Sequence, residues 1–330
     1  MLKILEEKQI SIYALAIIAG AALGLFIPDA GQSTEILIEP VLAVLLYGMF
    51  VQIPFFQLRS ALGNSRFMTA LFVLNFVLVP ILVWLLIRFL PDQTPLLLGV
   101  CLVLLTPCID YVIVFTHLGR GDAKLILAAT PVLLIAQMLL LPLYLWGFLG
   151  STALALMSAK PFLVAFLILI ACPLTLAVAS EFWAKKWTTG KVWLNFTAWI
   201  PVPMMALVLF IIIASQIEKV HSYLSLITWA IPIYITYILM VLFLGRLTAS
   251  LFGLKRHEAR TLIFSGGTRN SLVVLPLALA LPGELRYPVA AVIVTQTIME
   301  LVAELFYIRV IPTLIVPDAI KGNKNAREKL

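Results

Sequence analysis

TPCIDYVIV (residues 106–114) and GGTRNSLVV (residues 266–274) share one design: a helix breaker, a polar cluster, then an apolar run. Both stretches lie inside segments apolar enough to cross a bilayer. Pro107 removes a backbone hydrogen bond and opens its helix. Gly266 and Gly267 are the residues with which a helix unwinds most readily. Asp110 follows the first break, and Thr268, Arg269, Asn270 and Ser271 follow the second. An open helix at membrane depth survives only where protein covers it or where it lines a cavity. The two breaks are therefore expected to face each other at mid-membrane, with half-helix ends, free carbonyls and side chains converging on one site.

Outward from these two stretches, apolar runs separated by polar, turn-rich breaks such as PDAGQSTE, RSALGNSR, GRGDAK and LPGELRYP give ten candidate spans. They cover about 10–27, 36–53, 67–90, 95–117, 123–149, 161–180, 193–215, 224–245, 261–281 and 287–311. The basic residues test this count independently, because cytoplasmic loops carry an excess of Lys and Arg. With the N-terminus inside, 18 of the 23 Lys and Arg fall on the cytoplasmic side and four outside, and Arg269 is left within the ninth span. Five spans followed by five place the second half in the membrane upside down relative to the first. The expected fold is an all-α polytopic membrane protein of ten transmembrane helices in two inverted five-helix repeats, with helices 4 and 9 broken and crossing. The first repeat covers residues 1–150, the second 151–315, and 316–330 form a basic cytoplasmic tail. Location in the cell (inner or plasma) membrane with both termini cytoplasmic follows from the charge distribution.

Composition excludes other classes. With 62% hydrophobic and 12% charged residues and a mean hydropathy of +1.09, the chain lacks the polar surface a water-soluble globule of this length needs. Its partner is the lipid bilayer. The net charge of +7 is scattered over short loops rather than gathered on one face, so no nucleic acid is expected. Cys101, Cys108 and Cys172 sit in apolar segments without CxxC spacing, which implies neither a disulfide framework nor a zinc site. His117, His221 and His257 lie at span ends or in loops, so a hydrolytic constellation is not expected and the chain is read as no enzyme. No cofactor is expected beyond a coupling ion, H+ or Na+. Assembly into a homo-oligomer is left open.

Ionisable groups in hydrocarbon are expensive and mark function or structural pairing. Asp110 and Arg269 admit two readings: a gate that parts when substrate or ion arrives, or an ion pair that locks two helices together. On the tenth span Gln296, Glu300 and Glu304 repeat every four residues along one face. Glu300 and this stripe relay protons, bind a cation, or bond a neighbouring helix. Thr268, Asn270 and Ser271 supply neutral ligands or helix-linking bonds. Cys108 is packing or a soft ligand for a metalloid; Cys101, seven residues earlier and about 10.5 Å along the axis, is too far to share one small ion.

The stretch CIDYVIVFTHLGRGDAKL (108–125) resembles the motif of the arsenite-efflux permease family, in which a Cys opens a similar run ending in a Gly-Asp loop. FSGGTRNSLVV (264–274) resembles the same family's small-residue run with paired Asn. The ten-span layout resembles the wider superfamily that includes the bile acid:sodium symporters. The resemblance implies a panel and a core of helices, with helices 4 and 9 crossing at the substrate site, and alternating access. It implies a metalloid contact at Cys108 and a site role for Asn270. The chain departs from the family at two places: Pro107 stands where an Arg precedes the Cys, and Leu272 where an acid follows the paired Asn. The charged pair is exchanged across the crossover, with the acid at Asp110 and the base at Arg269.

The leading expectation is secondary active efflux of arsenite or antimonite coupled to protons. The alternative is a sodium- or proton-coupled carrier of a small organic anion, with Arg269 as counter-charge. Replacement of Cys108 separates the two.

Overall fold

The computed structural model describes residues 2–51, 63–109, 111–156 and 171–318. Asp110, the first half of the sixth expected span and the tail beyond Asp318 lie outside the described residues. Among the described residues all regular structure is helical. In chain order the helices are α1 (Leu2–Phe26), α2 (Pro28–Ser33), α3 (Ile38–Phe50), α4 (Ser65–Val73), α5 (Val79–Ile87), α6 (Thr94–Leu104), α7 (Val112–Leu118), α8 (Ala123–Leu156), α9 (Cys172–Lys186), α10 (Thr188–Thr197), α11 (Pro201–Ser222), α12 (Leu224–Leu251), α13 (Arg256–Gly267), α14 (Ser271–Leu279) and α15 (Gly283–Val310). A π-helical turn, Leu74–Leu78, joins α4 to α5.

The helices start and stop for local reasons. Asn64 caps α4, its side-chain oxygen accepting the Phe67 amide at 3.2 Å. Its amide nitrogen donates to Glu258 of α13 at 2.8 Å, while the other oxygen of Glu258 accepts the Lys255 amide at 2.9 Å. One carboxylate thereby ties the starts of two helices. Pro201 opens α11 after a turn at residues 198–200, so the apolar window expected as one span from 193 contains two helices. In α8 the regular helix is interrupted at Gly150 (φ 74°, ψ −172°), a conformation that favours glycine and lies at the expected end of the fifth span.

Contacts sort the helices into two groups. In one, α1 packs along α11, and α3 packs on α9 and α11. Gly20 permits the first approach: a Cβ there would stand 2.6 Å from the Phe210 carbonyl oxygen. In the other, α6, α12 and α14 pack around α15, with α13 against α12. α11 joins the groups by touching α15 and α12.

The outer surface is apolar. On α12, Ile231, Ile235, Leu239, Phe243, Leu247 and Leu251 recur every four residues on an exposed face. So large an apolar stripe would aggregate in water and belongs in lipid. Among the described residues five helical stretches are long and apolar enough to cross a membrane: Ser65–Ile87, Val132–Gly150, Thr188–Ser215, Leu224–Leu251 and Gly283–Ile315. The chain is an all-α membrane protein.

Candidate functional site

The helix pairs α6/α7 and α13/α14 are each interrupted, and their open segments meet. Pro107 and Arg269 form an antiparallel bridge. The Cys108 amide donates to the Thr268 carbonyl at 3.2 Å, and the Asn270 amide donates to the Thr106 carbonyl at 2.9 Å. Proline belongs at the bridge because it has no N–H to leave unsatisfied. Thr106 and Thr268 finish the half-helices in front of them, their hydroxyls donating back to Leu102 and Phe264 at 3.0 and 2.7 Å. Gly266 and Gly267 remain helical, and the interruption falls on the next three residues. Their smallness serves packing: a Cβ on Gly267 would lie 2.5 Å from the Tyr307 ring, and one on Gly266 2.9 Å from Leu74.

Arg269 is fully buried at this crossing. Its guanidinium donates to the Leu104 carbonyl at 3.3 Å, to Asn75 Oδ1 at 2.8 Å, and to the carbonyls of Ser265 and Gly266 at 2.6 and 2.7 Å. The Tyr237 ring lies 5.7 Å away, and its hydroxyl also donates to Gly266 at 2.7 Å. Three of the carbonyls that the breaks release are thus taken up by one side chain. Asn75 in turn donates to Ser265 Oγ and the Leu71 carbonyl, each at 3.1 Å.

Among the described residues Glu300 is the acid bonded to this cluster. Its Oε2 accepts the Arg269 amide at 2.8 Å and the Gln296 side-chain amide, and its Oε1 accepts the Tyr111 hydroxyl at 2.6 Å. Tyr111 also reaches the Arg269 carbonyl at 3.1 Å. Three donors make Glu300 an anchor for the open strand, so it bonds neighbouring elements instead of standing free. Glu304, one turn further, is fully buried, and among the described residues neither of its oxygens has a hydrogen-bond partner. The bond expected between Asp110 and Arg269 falls partly outside the described residues.

Beyond the crossing, Asn270 caps α14, its Oδ1 accepting the Val273 amide at 3.3 Å. Asn270 Nδ2 and Ser271 Oγ, both buried, lack partners among the described residues. Ser271 lines a cavity of about 10 Å³ between the two helix groups, room for about one water. The rest of its wall is Ile17 of α1, Leu209 and Ile213 of α11, Leu275 of α14, and Ile293, Val294, Thr297 and Ile298 of α15. Cys108 is buried at the crossing and is not part of that wall. Of the residues singled out in the sequence, the structure brings Pro107, Cys108, Thr268, Arg269, Asn270 and Glu300 together, with Ser271 at the cavity.

Asn75, Tyr111 and Tyr237 are site residues that the sequence reading passed over. Asn75 carried a signal, a lone amide in the apolar run FVLNFVLV (72–79).

A second polar cluster closes one end of the molecule. Arg260, fully buried, donates to Val316 O at 3.0 and 2.8 Å and to Asp318 at 2.7 Å. Asp318 also accepts Arg120 Nη1 at 2.8 Å. Arg120 has a left-handed φ of 57°, and its carbonyl lies 3.0 Å from His257 Nδ1 and 3.3 Å from Arg260 Nη1. The hydrogen bond from Arg260, with both arginine charges, holds the Asp318 carboxyl below its usual range.

Residues 39–223 match the family described as the Sodium Bile acid symporter family, a stretch that takes in Pro107 and Cys108 and stops short of Arg269. No curated protein matches the chain.

Proposed function

The chain belongs to the sodium bile acid symporter family, a family of transporters, and we propose that it is a secondary carrier of a small organic anion driven by a sodium or proton gradient. One observation carries this reading: the unpartnered Ser271 hydroxyl at the start of α14 opens on an otherwise nearly apolar cavity between the two helix groups. A helix N-terminus with spare donors at Asn270 and Ser271 suits a carboxylate, and the aliphatic wall suits the body attached to it. The cavity as it stands admits no such solute, so one helix group moves against the other to open it, as alternating access requires.

In this reading the ten spans form two inverted repeats, residues 1–150 and 151–315, and the crossing unites equivalent breaks. The end closed by Arg260 and Asp318 faces the cytoplasm, with its basic loops inside. Arsenite efflux, which the resemblance around Cys108 implies, gains less support, because the cavity wall contains no sulfur.

Uptake into liposomes containing the purified chain tests the reading. Labelled monocarboxylates of graded apolar size, and arsenite, are supplied under sodium and proton gradients imposed separately. Carboxylate accumulation that survives Cys108→Ser and is weakened several-fold in KM by Ser271→Ala supports it. Arsenite accumulation abolished by Cys108→Ser, with no carboxylate carried, overturns it.

A further inference from the structure

Interrupted helices present carbonyl oxygens to mid-membrane, and in ion-coupled carriers such carbonyls are ligands for the coupling cation. In this chain carbonyl oxygens released by both breaks are already occupied. Arg269 Nη1 is bonded to Leu104 O, at the end of α6, and Nη2 to Ser265 O and Gly266 O, at the end of α13. Asn75 Oδ1 adds a fourth oxygen from the turn between α4 and α5. Four oxygens from three elements converge on one buried positive charge, three of them at Nη2, as oxygens would gather on a bound metal cation, while Nε has no partner among the described residues. We propose that the Arg269 guanidinium is a tethered replacement for sodium at the crossing, so that this chain operates without a sodium ion there. The inference rests on the reading of the chain as a gradient-driven carrier and deepens it by saying what occupies its crossing.

The charges agree with the geometry. Sodium and guanidinium each carry one positive charge, and Glu300, with its oxygens already accepting three donors, balances one of them. A second cation about 4 Å from the guanidinium would bind about a thousand-fold more weakly at an effective dielectric near 20. The remaining unpartnered acceptors on α15 do not offer another seat. Gln296 Oε1 and the Glu304 oxygens belong to residues eight positions apart, about 12 Å along the helix, too far to grip one ion together. Among the described residues no three His, Cys, Asp or Glu gather as a metal site.

The test uses the full chain in lipid nanodiscs and needs no knowledge of the solute. Binding of ²²Na+ is measured in competition with unlabelled Na+ and K+, and thermal unfolding is compared in NaCl and in N-methyl-D-glucamine chloride at equal ionic strength. The wild type is expected to show no saturable, sodium-specific binding and the same Tm in both salts. Arg269→Ala is expected to gain both a saturable ²²Na+ site and a sodium-dependent rise in Tm, with methylguanidinium displacing the sodium. Saturable sodium binding by the wild type overturns the proposal, as does a folded Arg269→Ala that binds neither sodium nor methylguanidinium. Should that variant fail to fold, the wild-type measurement decides alone. A wild type that binds no sodium and carries no organic anion sinks the transport reading while leaving Arg269 in the sodium's place.

Discussion

The amide of Asn270 reaches the carbonyl of Thr106 at 2.9 Å. With the reciprocal bond from Cys108 to Thr268, it makes the crossing of the two interrupted helices a backbone contact. The side chains of Tyr111 and Glu300 add to that hold through the amide and carbonyl of Arg269.

Tyr111 shares its hydroxyl between Glu300 and the Arg269 carbonyl. Tyr111→Phe is expected to destabilise the protein by about 1.5–3 kcal/mol, the range for a buried bond to a charged group. Equilibrium unfolding in a mixed-micelle denaturant series measures it. A loss below about 0.5 kcal/mol would show that Glu300 does not depend on this donor.

Among the described residues Asn75 is the side-chain acceptor for the Arg269 guanidinium. Asn75→Leu strips a buried cation of a partner and is expected to cost about 2–4 kcal/mol. Asn75→Asp keeps an acceptor and adds an opposing charge, and it is expected to lose distinctly less. If the two variants unfold alike, Asn75 is filling space and not holding Arg269.

Gly267 faces Tyr307, whose ring is held by its hydroxyl on the Ile238 carbonyl. Gly267→Ala overfills this contact and is expected to cost about 1–3 kcal/mol. Combining it with Tyr307→Leu should return part of that loss. A double-mutant cycle with no coupling would place the strain elsewhere.

Asp318 gives the pH dependence. Its carboxyl is held below the usual range by the Arg260 hydrogen bond, so the folded state favours the ionised form. The stabilisation is present above the ordinary carboxylate value, about 4, and is lost as pH falls through the lowered folded value. The Val316 amide, bonded to Ile311 O at 2.8 Å, is expected to lose hydrogen-exchange protection over that window, after correction for intrinsic rates. Asp318→Asn should show the loss already at neutral pH. An amide equally protected in both proteins would show that Asp318 does not secure this segment.

The sequence made some of this legible and hid the rest for physical reasons. Pro107 marked its break because a missing N–H is a property of the residue itself. Arg269 stood out because a guanidinium in an apolar run has no cheap explanation. Its pairings were not legible: Asn75, 194 residues away, was passed over, and Glu300, itself singled out, was not matched to Arg269. Which acid reaches which amide depends on how helices are rotated in the packed protein, and hydropathy does not report rotation. The glycine pair pointed to the right place for a different reason, since close approach by Leu74 and Tyr307 demands it while the helix continues through both residues. The window from 193 to 215 read as continuous because apolar character persists across the turn at 198–200.

The cavity beside Ser271 has room for about one water. A solitary water has no neighbour to pass a proton to, and no ion can keep a hydration shell in so small a space. As it stands, this cavity offers neither a proton nor a hydrated ion a way through.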